Sequence, residues 1–366
     1  MTLWDNSRAW LVARHAEQVA LLRDPRVSAD NIWPRYPHVS QGLKDVAPIN
    51  RTYMNLDGPE HRAHRRNFTG EFTSRRMQAL KPRITQHIQN LLDAMEAKGG
   101  PVDLVTEFAL PLPSLAISEL LGVPYDDHEF FQDRTTAFVS NRSTPEQTVQ
   151  AAQDLASFIG QLLEQKVAEP GDDMLSRMAT NLLLNGKVPQ DDVVQQARLM
   201  LVAGHETVAA TLAMGVCALL TNPEQFALVR DADDETATKA TEELLRYVSV
   251  VHKGRRRVAV EDIEIAGTLI PAGDGIILPI ETANRDPRVF EDPDALDVTR
   301  DARAHLAFGS GPHQCLGASL ARLELELAFP ALLRRFPALK LDVPLDELRF
   351  RNDMAVYGVH NLPVTW

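Results

Sequence analysis

The chain has 366 residues, 44% of them apolar, and a formal net charge of -12. That charge excludes nucleic acid as a bulk partner while leaving room for a local basic patch. The two cysteines stand at unmatched positions, which excludes a disulfide framework and points to a reducing compartment, the cytoplasm. No apolar stretch approaches the length of a bilayer span, and Met1 to Arg8 lacks a signal-peptide apolar region, so no membrane partner is expected. There is no Gly/Ser-rich linker, repeat or break in composition, so residues 1–366 are expected to form a single domain.

In chain order, Ala9 to Val12 reads as a short strand and Ala16 to Leu22 as a helix ended by Asp24-Pro25. Arg26 to Asn55 reads as irregular, with Trp33, Tyr36, Tyr53 and several prolines; so long an irregular stretch is more often functional than idle. Helix is expected from Pro59, an N1-type proline, and again from Met77 to Ala97. Ser143-Thr144-Pro145-Glu146 has the form of a capping box opening a helix to about Val167. Asp191 to Thr221 reads as a long, mostly apolar helix stopped by Asn222-Pro223. Strands are expected at Arg257 to Ile265, at Gly275 to Pro279 and near the C-terminus. The fold class is mainly α with a small β region.

The most informative stretch is Phe308-Gly309-Ser310-Gly311-Pro312-His313-Gln314-Cys315-Leu316-Gly317. Glycines let the backbone approach a bulky group and present amide N–H groups to a charged sulfur, and such donors tune a metal centre. A plainer reading makes Cys315 a small buried hydrophobe beside a turn. That explains the sulfur but not the three glycines, the proline and the phenylalanine. Zinc through His313 and Cys315 fails on ligand count, since Cys217 lies alone in an apolar helical run.

The long helix carries Ala203-Gly204-His205-Glu206-Thr207-Val208. Gly204 costs about 1 kcal/mol relative to Ala in a helix interior and so wants a reason, such as close approach to a flat group. Glu206 and Thr207 offer an acid and a hydroxyl suited to proton relay, or else a solvated Glu and a Thr bonded to its own helix. Glu243 and Arg246 stand three apart on one helical face, as an ordinary surface ion pair would.

The cysteine loop resembles the haem-binding loop of the cytochromes P450, and Ala203 to Thr207 resembles their oxygen-activating segment. The resemblance runs from Trp4 to Trp366. Val251 to Gly254 and Tyr357 to Trp366 are similar to soluble actinobacterial members, and Gly100 to Pro111 also to fungal nitric-oxide-reducing ones. It implies a cytochrome P450 fold holding haem b, with Cys315 as the thiolate ligand of iron. Ala203, Gly204, Phe308, Gly309, Leu316 and Gly317 are then cofactor contacts, and Glu206 and Thr207 deliver protons to the oxygen pocket. His61, Arg65, Arg257 and His313 match the positions that hold the haem propionates. Arg255 and Arg256 are left as surface or partner-docking residues, and His305 is left open. Glu243, Arg246 and Arg300 match the family's structural ion pair. The chain starts at the first sheet strand, so the family's Pro-rich lead-in and first helix are expected to be absent.

The activity so implied is monooxygenation of a small apolar organic substrate by O2, with electrons from a ferredoxin and its reductase. Nitric oxide reduction, atypical chemistry (nitration, ring coupling, peroxide-driven oxidation) and non-catalytic haem sensing are the alternatives. Retention of Glu206 and Thr207 favours monooxygenation over nitric oxide reduction and sensing, which need no such relay. The pocket is expected at Trp33, Tyr53, Phe138, Val250, His252, Met354 and Ala355.

Overall fold

Prolines and side-chain caps set many of the helix starts. The computed structural model describes residues 1–366. Its helices are α1 (His15–Arg23), α2 (Gln41–Val46), α3 (Gly58–Thr69), α4 (Ser74–Lys98), α5 (Pro111–Leu121), α6 (His128–Val139) and α7 (Pro145–Ala168), followed by α8 (Met174–Met178), α9 (Gln190–Leu220), α10 (Pro223–Arg230), α11 (Asp234–Val248), α12 (Ile280–Ala283) and α13 (Ala318–Arg335). Pro59, Pro111, Pro145 and Pro223 stand in first turns, where the missing N–H costs nothing. The capping box of α7 is Thr144 with Gln147, one residue later than the Ser143/Glu146 pairing expected. Pro145 then falls on the first helical position, where its fixed φ suits the helix.

The strands are β1 (Ala9–Leu11), β2 (Val27–Ser28), β3 (Val102–Asp103), β4 (Arg255–Ala259), β5 (Ile263–Ile265), β6 (Thr268–Ile270), β7 (Gly275–Leu278), β8 (Lys340–Leu341) and β9 (Pro363–Thr365). They form a four-stranded sheet in the order β1-β7-β4-β2 and two smaller sheets, β3-β9-β8 and β5-β6. In the larger sheet β4 runs antiparallel to β7, with Arg255 opposite Leu278 and Arg257 opposite Ile276. The stretch 26–55 is less irregular than expected: it contains β2, α2 and two 3₁₀ turns. Helices α5 and α6 carry too weak a periodic signal to be read ahead.

A core of 61 buried residues runs through the helical part, and a second cluster of 11 lies between α1 and the larger sheet. At its centre α9 packs on α5 and α13. By length and hydropathy α9 would span a bilayer, contrary to the reading of the sequence, but 67% of that window is buried inside the protein. Its apolar character serves the core. Two glycines permit the packing: a Cβ on Gly204 would stand 2.7 Å from Ile117 Cδ1, and one on Gly215 2.6 Å from Phe329 Cζ.

Arg246 is the largest fully buried side chain. Its Nε donates to Glu243 Oε2 (2.6 Å), and Nη2 to Glu243 Oε1 (2.7 Å) and Ala295 O (3.1 Å). Nη1 donates to Asn284 O (2.9 Å) and Pro293 O (2.8 Å), so all five N–H donors are used. Glu243 Oε1 also accepts from Asp297 N (3.0 Å) and Arg300 Nε (3.3 Å). Asn284 Oδ1 in turn accepts Leu306 N at 2.7 Å, which ties α11 to the chain leading into the cysteine loop. The triad is thus no surface pair. Breaking a buried pair strands a charge, at a cost of about 3–5 kcal/mol. Arg246→Ala should lower the unfolding free energy by that amount in chemical denaturation. Lys239→Ala, which removes an exposed partner of Glu235, should leave it close to the wild-type value.

Candidate functional site

The cysteine loop closes by two backbone bonds, Gln314 N to Gly311 O (3.0 Å) and Cys315 N to Phe308 O (2.8 Å). Gly309 and Gly311 both sit at φ +72°, a left-handed conformation that glycine adopts without strain. At Gly311 there is a second constraint, because a Cβ would stand 2.6 Å from Leu22 O. Phe308 is buried, with the Arg322 guanidinium 4.6 Å above its ring. Arg322 and His305 both bind Glu242, at 2.5 and 3.1 Å. This assigns His305 to bracing the loop, with Ala307 N donating to its Nδ1.

Cys315 is thereby delivered one turn before α13 begins, where the positive end of a helix dipole favours an anion. Its thiol is open to a cavity deep inside the protein. Burial pushes that thiol above its ordinary pKa, while Arg255 and the Gly317 amide pull the other way. No three His, Cys, Asp or Glu side chains gather as a metal cluster. Cys315 therefore offers one sulfur with no second ligand beside it, a donor set that fits an iron porphyrin held by a single thiolate.

The cavity lies between this loop and α9. Ala203, Gly204, Thr207, Val208 and Thr211 line one wall; Leu316, Gly317, Leu320 and Ala321 line the other. Tyr53, Val250 and Ala355 close it further. Gly204 borders the cavity, and the Cβ it lacks would meet Ile117, so its smallness serves helix packing as well. Thr207 Oγ1 donates to Ala203 O at 2.9 Å, a bond within its own helix. Glu206 is buried but does not line the cavity. Successive helix residues point about 100° apart, and its Oε2 accepts from Arg351 Nη1 at 3.0 Å.

Arg65, Arg255 and His313 mark the polar side of the cavity. Arg65 Nη2 donates to Gln314 O at 2.6 Å. The rings of His61 and His313 lie 4.2 Å apart, and His313 Nε2 is 3.6 Å from Asp57 Oδ1. His61 is buried with Nε2 unpartnered, and burial pushes its pKa down to about 4, which makes it a neutral hydrogen-bonding group. The surface role read for Arg255 needs correction: strand alternation puts Arg255 and Arg257 on one face, and Arg255 reaches the cavity. Arg257 stands behind it, donating Nη1 to Arg256 O (2.7 Å) and acting electrostatically on His313. Arg256 points the other way, onto Pro37 O. Such a rim suits two carboxylates beside an apolar face, as a porphyrin has.

Other expected pocket residues lie outside the cavity. Trp33 is exposed, Phe138 sits under the Arg198 guanidinium at 5.5 Å, His252 stacks on Tyr357 at 4.1 Å, and Met354 is buried in a bridge to Ser140. Three residues were missed. Glu324 lines the cavity with both carboxyl oxygens unpartnered, and burial raises its pKa well above the ordinary value. Its signal was an acid four residues after Leu320, on the apolar face of α13. Arg255 was hidden among three arginines whose faces depend on strand register. Arg351 lies 145 residues from Glu206, and no local pattern marks it.

The cytochrome P450 family model matches residues 31–354. Cytochrome P450-SU2 of Streptomyces griseolus is 46% identical over 365 residues, covering 100% of this chain and 89% of its own. Among solved structures, GfsF superposes with a TM-score of 0.92 at 46% identity, covering 99% of this chain and 91% of its own. The mycinamicin VIII C21 methyl hydroxylase MycCI of Micromonospora griseorubida, bound to mycinamicin VIII, gives 0.94 at 39% identity, covering 100% and 92%. With a single cysteine at the floor of an apolar cavity and relatives alike over their full comparison, this chain belongs to the cytochrome P450 family of oxidoreductases.

Proposed function

We propose that the protein is a cytoplasmic haem-thiolate monooxygenase that inserts one oxygen atom from O2 into a medium-sized apolar molecule of secondary metabolism. The observation that carries this reading is the cavity itself, with Cys315 on one wall and Thr207 on the other. Haem b, when bound, supplies O2 activation. Cys315 would hold its iron through the sulfur, Arg65, Arg255 and His313 would hold its carboxylates, and His61 and Arg257 would stand behind them. Relatives whose names state a reaction, such as the 20-oxo-5-O-mycaminosyltylactone 23-monooxygenase of Streptomyces fradiae, support oxidation of elaborated metabolites. The names of these relatives speak of monooxygenation and hydroxylation rather than of nitric oxide reduction or sensing.

The chain's own residues have three tasks. The apolar walls, with Val250, Ala355 and Val356, orient the substrate and exclude water from the reacting side. Thr207 places a hydroxyl on the cavity wall, where it can hold and pass a proton once its helix bond to Ala203 O opens. Glu206, the adjacent acid, exchanges protons between Thr207 and the outside. Electrons come from a ferredoxin and its reductase.

Cys315→Ala should abolish the absorption of the reduced carbon monoxide complex at the position diagnostic of thiolate ligation; an unchanged spectrum would overturn the reading. Arg65→Ala, Arg255→Ala and Arg257→Ala should each speed haem transfer to apomyoglobin. Arg256→Ala, on the opposite strand face, should leave it at the wild-type rate. Thr207→Ala should keep the substrate-induced spin-state shift but release more peroxide per NADPH and form less product. Wild-type coupling in that variant would send the proton by another route.

A further inference from the structure

Arg246 and Arg198 are the two most deeply buried arginines, and they are provided for in opposite ways. Arg246 has every donor engaged and a carboxylate beside it. Arg198, on α9, is 3% exposed, and its two partners are both neutral. Its Nη2 donates to the side-chain oxygen of Asn50, and its Nη1 to Ala152 O on α7 at 3.3 Å. Nε has no partner, so three of the five N–H donors are unused. The Phe138 ring of α6 lies 5.5 Å from the guanidinium carbon. Burial alone pulls the pKa of Arg198 down to about 10, with no acid acting against it, and the group keeps its charge at neutral pH.

A buried cation without a counter-ion is costly, and a side chain of the same size without charge would fill the place at no such cost. The acid of α7 closest in sequence to Ala152 is Asp154, and it pairs with Arg134 of α6 at 3.3 Å. Arg198 nevertheless stands next to the cavity. Leu199 and Met200, the following residues of α9, line it, and so do Tyr53 and Met54, a few positions after Asn50. Tyr53 N donates to Gln196 Oε1 at 3.1 Å, which lays this segment along α9. The seam so formed has the cavity at its Met54 end and the Arg198 guanidinium at its Asn50 end.

We propose that Arg198 anchors a carboxylate carried by the substrate, so that the molecule oxidised is an apolar acid. This deepens the monooxygenase reading above and rests on it. A carboxylate takes two parallel N–H donors of a guanidinium, in charge-assisted bonds roughly twice as strong as neutral ones, and so displaces the Asn50 amide. A phosphate dianion would set two charges against one cation and a phenylalanine ring, and half of its charge would stay uncompensated. With the acid group held at Asn50, the apolar body runs past Tyr53, Met54 and Met200 toward Thr207. The carbon that reaches the reacting side is therefore remote from the carboxylate.

The probes are straight-chain, terpenoid and aryl carboxylic acids, each paired with its methyl ester and added to the haem-loaded protein. The best acids should bind the wild type about tenfold to a hundredfold more tightly than their esters, by calorimetry and by the spin-state shift. They should also raise its thermal unfolding midpoint. Arg198→Met should erase the preference and leave ester affinity unchanged, while Arg198→Lys, which keeps the charge but loses the fork, should retain part of it. If no acid is preferred to its ester by the wild type, or if Arg198→Met keeps the preference, the anchor is disproved, and the carbon monoxide spectrum of Cys315→Ala still decides the haem-thiolate reading separately. Preferred acids that yield no oxygenated product with ferredoxin, reductase and NADPH would sink the monooxygenase reading and leave the anchor standing. Oxygen entering beside the carboxylate, rather than far from it, would overturn the placement.

Discussion

One sulfur that faces a largely apolar cavity, and that must carry charge to hold a metal, is the constraint on which the rest of this protein depends. An isolated thiolate in such surroundings is costly, and burial indeed pushes Cys315 toward the neutral thiol. What opposes burial is local: the Gly317 amide, the start of α13 and the Arg255 guanidinium. A bound metal would complete the work, since it deprotonates a coordinating thiol outright. The glycine-framed loop exists to bring those groups to one atom without side chains in the way.

That loop needs a rigid support, and the buried triad supplies it. Arg246, with all five donors used, links α11 to residues 284–295, while Asn284 and the His305–Glu242–Arg322 group reach the loop itself. An ion pair in the core is weak evidence of net stability. Here it fixes where several irregular segments sit relative to one another, which apolar contacts alone leave loose. The chain between α12 and α13 has no regular structure beyond a short 3₁₀ turn, so its polar bonds do the positioning.

Across the cavity, α9 meets opposite demands. It must be apolar enough to form the core and yet carry a hydroxyl on the cavity wall and, next to it, a buried acid. Small residues on its packed faces let α5 and α13 come close, and the 100° step between Glu206 and Thr207 divides their tasks. Thr207 borders the cavity while Glu206 turns to the C-terminal hairpin. That hairpin, closed by the Phe350–Val359 bridge, carries Arg351, whose Nη1 donates to Glu206 Oε2.

Much of this was legible in the sequence. The cysteine loop reveals itself because glycine spacing, proline and a lone thiol are local requirements, met within ten residues. Helices α4, α7 and α9 are equally legible, since their signals, apolar period and cap, repeat over many residues. The triad was legible only in part: Glu243 and Arg246 share a helix face, but their complete burial follows from the chain packed over them. Tertiary structure alone decided which arginine of Arg255, Arg256 and Arg257 reaches the cavity, because strand register sets the face and register comes from pairing with β7. It also decided that Gly204 makes room for Ile117 and that Glu206 is claimed by Arg351. Contacts between residues far apart in the chain leave no periodic trace, so local residue order determined the cysteine loop and the fold class, and packing determined who surrounds them.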